Sequence, residues 1–266
     1  MGKFLRTKMK GYLKKIQYIY DLIYLLTLKE IKVRYKSSVL GYLWSIAMPL
    51  CYAFVFYISF KVVMKIKMEN YSLFLICGLF PWQWFANSLG ASSTVFLSNS
   101  SIIKKVNFPR SSVCIAMVLN DGVHFLLSIP VIILFLFLYH KNPSPIWLIG
   151  VPILFIVQFI FTLGLSLLIS SINMFFRDLE RLVMVFLTLL FYFTPIIYEE
   201  TMIPERYRYL INLNPVAPLM VAWRHLFLNG DINYMYFLIS FLYGLFFFSF
   251  GLWIFNILSP RFAEVL

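Results

Sequence analysis

Charged residues are scarce in this 266-residue chain. They make up only 13% of it, whereas 61% of its residues are hydrophobic. Soluble domains carry about 25% charged residues, so this chain has roughly half the charge needed to cover a water-facing surface. The shortage excludes an ordinary soluble enzyme, and the high apolar content excludes a disordered chain. These two fractions leave an integral membrane protein with several spans.

Cysteine and the common catalytic motifs are also scarce or absent. Cys51, Cys77 and Cys114 each lie in an apolar stretch and show no C-x-x-C spacing, which excludes a disulfide-stapled fold and predicts no metal site. The sequence contains no G-x-x-x-x-G-K-[ST], no H-E-x-x-H and no G-x-S-x-G. We therefore predict that the chain is not itself an enzyme, and that it holds neither an ATPase site nor a cofactor.

Long uncharged stretches predict an all-α integral membrane fold with six spans, because about 20 residues at 1.5 Å per residue cross the hydrocarbon core. The predicted spans are 38–60, 71–97, 113–138, 147–172, 182–198 and 236–258. A further apolar stretch, 209–223, is too short to cross and is interrupted by Pro215 and Pro218. It predicts short helices that dip into the membrane between spans 5 and 6.

Basic residues are distributed unevenly about these spans. Sixteen of the 23 Lys and Arg residues would lie on the side that carries both termini, which the positive-inside rule identifies as cytoplasmic. The chain then divides into a cytoplasmic N-terminal segment (1–37), a six-span domain (38–260) and a cytoplasmic tail (261–266). Apolar and basic residues mix between Tyr18 and Tyr35, which predicts an interfacial helix on the inner leaflet. Charges that only set the topology would leave the same pattern.

The third predicted span carries an ionisable pair, Asp121 and His124, three residues apart on one helix face. A charge at the bilayer centre costs about 2.5–3.5 kcal/mol, so the pair must lie near an interface, pair mutually or face a cavity. We favour a hydrogen-bonded packing pair between helices, because no second acidic relay residue occurs in the other spans. The alternatives are a proton relay or a catalytic histidine.

Several short blocks occur in one order along nearly the whole chain. They are 28–44 with Pro49-Leu50, Gly78 to Trp82, Ile102 to Arg110, Phe175 to Leu179, Thr194 to Tyr198, and Asn214-Pro215. In this order they resemble the permease subunits of type-2 ABC exporters of bacterial cell-surface polysaccharides, and most closely those that export O-antigen. The resemblance implies a homodimer of six-span subunits in the bacterial inner membrane.

The same resemblance implies two copies of a separate ATPase chain as partners, which would bind the ATP and Mg²⁺. The expected surroundings are membrane lipid and a lipid-linked polysaccharide, with no nucleic acid. The resemblance also assigns the cytoplasmic loop after span 2 to coupling with the ATPase, because an apolar stub flanked by basic side chains suits such docking. The candidate coupling residues are Ile102, Ile103, Lys104, Lys105, Phe108, Pro109 and Arg110. A loop whose charges only hold the topology is the alternative.

Three further groups of candidate residues follow from the resemblance. Sugars present flat C–H faces that lie against aromatic rings, and the resemblance places spans 1 and 5 along the pathway. The candidate lining aromatics are Tyr42, Trp44, Tyr52, Phe56, Tyr57, Tyr192, Phe193 and Tyr198. The candidate cytoplasmic mouth is Arg34, Arg177 and Asp178, for which local surface ion pairs are the alternative. The candidate extracytoplasmic gate is Pro195, Asn214, Pro215 and Pro218, for which a static cap is the alternative.

These observations predict the permease subunit of an ATP-driven exporter that moves lipid-linked polysaccharide across the inner membrane. Undecaprenyl-diphosphate-linked O-antigen is the expected cargo, and the chain itself would break and form no covalent bond. Close alternatives are exporters of capsule, teichoic acid or a lipophilic small molecule. A distant alternative is a membrane-embedded acyltransferase with His124 as its catalytic residue.

Overall fold

The computed structural model describes residues 2–34, 41–65 and 68–262 of the chain. In these three ranges the chain forms helices joined by short loops and contains no β-strand, so the all-α prediction is confirmed there. The α-helices are α1 (Gly2–Arg34), α2 (Trp44–Phe56), α3 (Tyr71–Ser92), α4 (Val95–Ser98), α5 (Ser100–Lys105), α6 (Ser111–Leu138), α7 (Trp147–Asn173), α8 (Leu179–Phe193), α9 (Tyr209–Leu213), α10 (Ala217–Asn229) and α11 (Tyr234–Leu258). Helix α2 continues as a π-helix over Tyr57–Val63, and short 3₁₀ turns occupy Gly41–Leu43, Glu200–Met202, Glu205–Tyr207 and Ser259–Arg261.

Four helical segments within the described ranges are long and apolar enough to cross a membrane. They are Ile46–Val63, Ser111–Leu138, Trp147–Asn173 and Tyr234–Arg261. These segments correspond to predicted spans 1, 3, 4 and 6. The apolar helices therefore support a multi-pass membrane protein.

The helices at predicted spans 2 and 5 end several residues before the predicted ends of those spans. Helix α3 ends at Ser92, and the short α4 follows it, so the 71–97 stretch is not one continuous helix. Helix α8 ends at Phe193, and Thr194 is extended, with φ −95° and ψ 133°. Thr194 precedes Pro195, and a residue before proline is disfavoured in the helical region. The uncharged stretch to Tyr198 therefore overstated the length of the helix.

Helix α3 is the buried centre of the bundle. Sixteen of its 22 residues are buried, including Trp82 and Trp84. Because these residues face protein, the helix does not need the uniformly apolar surface of a lipid-facing span. Ser88 is one of these buried residues, and the partly exposed Gln83 and exposed Asn87 also make the helix less apolar than the four segments above.

Helix α1 packs against α6 and against the junction of α4 and α5. Leu26 is buried in a cluster that includes Val113 and Met117 of α6. The Lys29 ammonium donates to the Asn99 side-chain oxygen at 2.5 Å and lies 2.8 Å from Glu30. The N-terminal helix is thus attached to the segment that leads into the predicted coupling loop.

Helices α7 and α11 approach each other through glycine. A Cβ atom built on Gly251 would lie 2.0 Å from the carbonyl oxygen of Gly164, and one built on Gly164 would lie 2.4 Å from the backbone nitrogen of Phe248. Small residues let membrane helices pack backbone to backbone, where van der Waals contact replaces the hydrophobic effect as the driving force. This contact requires glycine on both helices.

We predict that Gly251→Ala lowers the thermal midpoint of the detergent-solubilised protein, because the new methyl group must push α7 and α11 apart. Overpacking of this kind costs about 1–3 kcal/mol. The matched control is Gly244→Ala on the same helix, where the new Cβ would meet its nearest atom, the Val157 carbonyl oxygen, at an ordinary 3.6 Å. Equal midpoints for both variants would contradict the close-packing account.

Candidate functional site

A cavity of about 910 Å³ lies between α2, α3, α6 and α8. Four of the aromatics predicted to line a pathway form part of its wall: Trp44, Tyr52, Phe56 and Tyr192. Trp44, Tyr52 and Tyr192 are 45%, 46% and 58% exposed, so the cavity opens between α2 and α8. Predicted spans 1 and 5 therefore meet at one cavity.

The other predicted lining aromatics lie elsewhere or outside the described part of the chain. Tyr57 begins the π-helix after α2, and Phe193 is 72% exposed at the end of α8. Tyr198 donates to the Tyr192 carbonyl at 3.2 Å and lines no part of the cavity. The side chain of Tyr42 lies outside the described residues.

Helices α3 and α6 contribute lining residues that the sequence pattern did not identify. The additional aromatics are Phe80, Trp82, Trp84 and Phe125 on these two helices, together with Phe191 on α8. The non-aromatic polar side chains in the wall are Gln83, Asn87, Asp121, His124, Ser128 and Thr188. Asn87 lies one helical turn from Gln83, which is a spacing that sequence reasoning could have used.

Asp121 and His124 face this cavity. A cavity is one of the three environments in which a charged pair can be tolerated within a membrane. Asp121 also accepts a hydrogen bond from the Ser88 hydroxyl at 2.8 Å, which links α6 to α3. Both side chains are buried, with 2% and 7% of their surface exposed. The favoured packing link is therefore present, and the pair is in addition part of a cavity wall.

The predicted coupling loop has a buried half and an exposed half. Ile103 and Phe108 are buried among Phe96 and Phe262, so they are not free to dock a partner. Lys104, Lys105, Asn107 and Pro109 are exposed, and Val106 is 52% exposed. Ile102 and Arg110 are half-buried. Val106 is the loop's exposed large apolar side chain, and sequence reasoning did not single it out.

The turn Ser259–Arg261 and the following Phe262 contact this loop. The Arg110 guanidinium donates to the Ser259 carbonyl and lies 5.8 Å from the centre of the Phe262 ring. Phe262 also packs on Phe96 and Phe255. The loop is therefore held in place by the end of the last long helix.

The predicted mouth residues lie between α7 and α8. Arg177 and Asp178 are both exposed there, and Asp178 directly precedes α8. The side chain of Arg34 lies outside the described residues.

The segment after α8, residues 195–197, is held by hydrogen bonds to its backbone carbonyls. The Arg224 guanidinium donates to the carbonyls of Pro195 and Ile196, and the Tyr71 hydroxyl donates to that of Ile197 at 2.8 Å. Arg224 is buried, and its guanidinium carbon lies 3.8 Å from the centre of the Phe74 ring. A buried cation is tolerated when such partners surround it. Three consecutive carbonyls are thus fixed to α3 and α10.

Asn214 joins the end of α8 to the start of α10. Its side-chain amide donates to the Phe193 carbonyl at 3.2 Å and to the Thr194 hydroxyl at 3.0 Å. Its side-chain oxygen accepts from the backbone nitrogens of Val216 and Ala217. Pro218 is the second residue of α10, where a missing N–H costs nothing.

The predicted gate residues Pro195, Asn214, Pro215 and Pro218 therefore lie in one connected cap. Sequence reasoning missed Arg224 and Tyr71, the two residues that hold this cap to α3 and α10. An arginine inside the apolar stretch 216–228 was the signal that could have identified Arg224.

An ionisable cluster lies beside Arg224 on the loop side of α10. The His225 Nε2 atom lies 3.7 Å from Glu200, and its Nδ1 atom lies 3.8 Å from Asp231 and 3.2 Å from the Asn229 amide. Glu200 raises the pKa of His225 above its ordinary 6.5. Burial by itself raises the pKa of Glu200, but His225, Tyr236 and Arg224 outweigh it and the net shift is downward.

Comparisons with known proteins agree along nearly the whole chain. The family model described as "ABC-2 type transporter" matches residues 21–228. Two Klebsiella pneumoniae proteins, each named O-antigen export system permease protein RfbA, are 52% and 50% identical to this chain over 249 residues, covering 94% of this chain and 96% of each relative. A Myxococcus xanthus protein of the same name is 33% identical over 202 residues, covering 75% of this chain and 77% of that protein.

The Glu200–His225 pair predicts a pH dependence of stability. His225 has a raised pKa in the folded state, so its contribution is complete below pH 6.5 and is lost as pH rises through that raised pKa. The contribution of Glu200 is present above pH 4.5 and is lost as pH falls through its lowered pKa. The thermal midpoint should therefore fall between about pH 6 and pH 9 by more in the native protein than in Glu200→Gln.

The control for this measurement is Glu205→Gln. Glu205 is almost fully exposed and lies 3.8 Å from Arg208, so its loss should leave the pH profile unchanged. Identical profiles for the native protein and Glu200→Gln would contradict the assignment.

Proposed function

Because the chain belongs to the ABC-2 type transporter family, we propose that it is the permease subunit of an ABC exporter of O-antigen polysaccharide. The observation that carries this function is the cavity between α2, α3, α6 and α8, whose wall combines aromatic rings with polar side chains. Flat sugar faces lie on aromatic rings, and sugar hydroxyls need polar partners. The names of the two Klebsiella relatives, at 52% and 50% identity, agree with this cargo.

The proposed topology has six spans, with α3 and α8 added to the four long apolar helices. Helix α3 is mostly covered by protein, and its Gln83 and Asn87 face the cavity, so its polar side chains do not argue against a span. Helix α8 is only 15 residues long, about 22 Å, and the extended segment to Tyr198 would complete the crossing. An even number of spans places both termini on one side, and the excess of Lys and Arg makes that side the cytoplasm, with α9 and α10 at the extracytoplasmic exit as a gate.

The proposed assembly is a homodimer. Helices α2 and α8 carry large apolar side chains on their exposed faces, including Phe54, Val55, Leu182 and Phe186. The cavity opens between these two helices, so a second copy placed against them would complete its wall. A two-fold axis there would use the same surface on both subunits.

The proposed energy source is a separate ATPase, present in two copies, which binds ATP and Mg²⁺. This chain has no phosphate-binding motif of its own. The exposed half of the 102–110 loop supplies the contact, with Val106 as an apolar anchor beside two lysines. Arg34, Arg177 and Asp178 would lie at the cytoplasmic mouth.

The proposed cargo is a polysaccharide linked to undecaprenyl diphosphate, exported across the inner membrane. A strain that lacks its own permease but keeps the polymer-forming enzymes and the ATPase tests this proposal. Expression of this chain should restore surface O-antigen, measured by antibody labelling of intact cells and by the lipopolysaccharide ladder. Polymer retained inside the cell would overturn the proposal, and restored export of capsule or teichoic acid alone would identify a different cargo.

The same strain tests the cavity. Tyr52→Ala should reduce surface O-antigen about tenfold, because a lost aromatic contact is worth about 1–1.5 kcal/mol. The matched control is Tyr234→Ala at the start of α11, which is 82% exposed, does not line the cavity and lies outside the proposed dimer surface on α2 and α8. Equal losses at matched protein levels would refute the proposed pathway.

Docking to the ATPase is tested by Val106→Asp. The charge should abolish co-purification of the ATPase chains and leave the thermal midpoint unchanged, because Val106 packs little within its own chain. By contrast, Phe108→Ala should lower the midpoint, since a buried phenylalanine lost from a core costs about 3–5 kcal/mol. The matched control is Val63→Asp, at an exposed valine on the proposed extracytoplasmic side of the membrane, and this variant should still co-purify with the ATPase. Retention of the ATPase by Val106→Asp would overturn this docking site.

A further inference from the structure

The polar side chains of the cavity come from two helices. Asp121, His124 and Ser128 follow one another at one-turn intervals along α6, and Gln83 and Asn87 do the same along α3. Thr188 is the one non-aromatic polar contribution from α8, and α2 contributes none beyond its tyrosine and tryptophan. The cavity therefore has a polar wall on α3 and α6, beside the aromatic side chains of α2 and α8.

Asp121 is the acidic side chain among the described residues that line this wall. It accepts from the Ser88 hydroxyl, and an asparagine amide could accept the same hydrogen bond without a charge. A carboxyl group inside a membrane protein is costly, and such groups commonly mark a substrate path. The acid is thus better explained by something that enters the cavity.

The charge of the wall restricts what can enter. Of the residues that the structure describes, those lining the cavity include Asp121 and His124 but no Lys or Arg. A diphosphate or an acidic sugar would need permanently charged partners such as Lys or Arg there, because the Asp121 carboxylate repels a like charge. A neutral sugar needs none, because its hydroxyls donate to a carboxyl oxygen and exchange hydrogen bonds with amides and imidazole.

We propose that Asp121, His124, Gln83 and Asn87 form a binding subsite for neutral sugar residues of the polymer. The subsite rests on the proposed export function and adds a specificity to it. The hydroxyl edge of a pyranose meets this polar wall, and its flat face lies on a neighbouring ring of the cavity such as Trp82 or Tyr192. The diphosphate end of the cargo is held elsewhere.

The test measures glycan binding by the purified complex with its ATPase chains in lipid nanodiscs, followed by tryptophan fluorescence. The first probe is the O-polysaccharide released by mild acid from the strain whose export the chain restores, and the second is an acidic oligogalacturonide. The native complex should bind the first at least tenfold more tightly than the second. Asp121→Asn should weaken binding of the first probe about tenfold, because a charge-assisted hydrogen bond is roughly twice as strong as a neutral one.

Two variants separate binding from packing. Asp121→Asn keeps an acceptor for Ser88, so it should retain the hydrogen bond that links α6 to α3. Ser88→Ala removes the link, so a packing role predicts a lower midpoint for this variant and unchanged affinity for Asp121→Asn. Glu69→Gln, at an exposed loop position, is the matched control for the loss of a carboxylate charge and should leave binding unchanged.

Unchanged affinity in Asp121→Asn, or equal affinity of the native complex for both probes, would overturn the subsite. A restored O-polysaccharide made mainly of acidic sugars would also overturn it. In each of these cases the native chain still restores surface O-antigen, so the export function stands. Failure of the native chain to restore surface O-antigen would instead overturn the proposed function.

Discussion

Backbone polar groups in and beside a bilayer must find partners inside the protein, and the break after α8 meets this need through Arg224 and Tyr71. Thr194 and Pro195 interrupt the helix, which leaves the carbonyls of residues 195–197 without helical partners. Arg224 and Tyr71 bind all three. Because Tyr71 begins α3 and Arg224 lies in α10, this one cluster fixes the cap, the central helix and the end of α8 relative to one another.

The cap and the cavity are therefore parts of one arrangement around α3. The first turns of α3 hold the cap, and its next turns supply Gln83 and Asn87 to the cavity wall. Helix α6 supplies the other half of the polar wall, and Ser88 links it to α3 through Asp121. In the proposed exporter, a change at the proposed exit would reach the proposed sugar-binding wall through a single buried helix.

The 102–110 loop connects to the same two helices. The chain runs from α3 through α4 and α5 into the 102–110 loop and then directly into α6. Arg110 and Phe262 hold this loop against the C-terminal turn, and Lys29 holds α1 against Asn99 just before it. Force applied to the exposed side of the loop would therefore act on both helices that carry the polar wall.

Sequence by itself determined the all-α membrane character, the four long apolar spans and the positions of Asn214 and the prolines of the cap. Composition and residue spacing report these features because they depend on the solvent around a helix or on local backbone restrictions. It also located aromatics such as Tyr52 and Tyr192 on two helices that share a cavity, through the resemblance to a family.

Only the tertiary structure decided which side chains meet across helices. Ile103 and Phe108 have the composition of a docking surface, but Phe96 and Phe262 from distant parts of the chain cover them. Asp121 alone could have been a packing residue, and its place in a cavity wall depends on where α2, α3 and α8 lie. A residue's type and its spacing along the chain do not show which side chains of other helices it will contact. Those contacts depend on how the helices pack against one another in the folded protein.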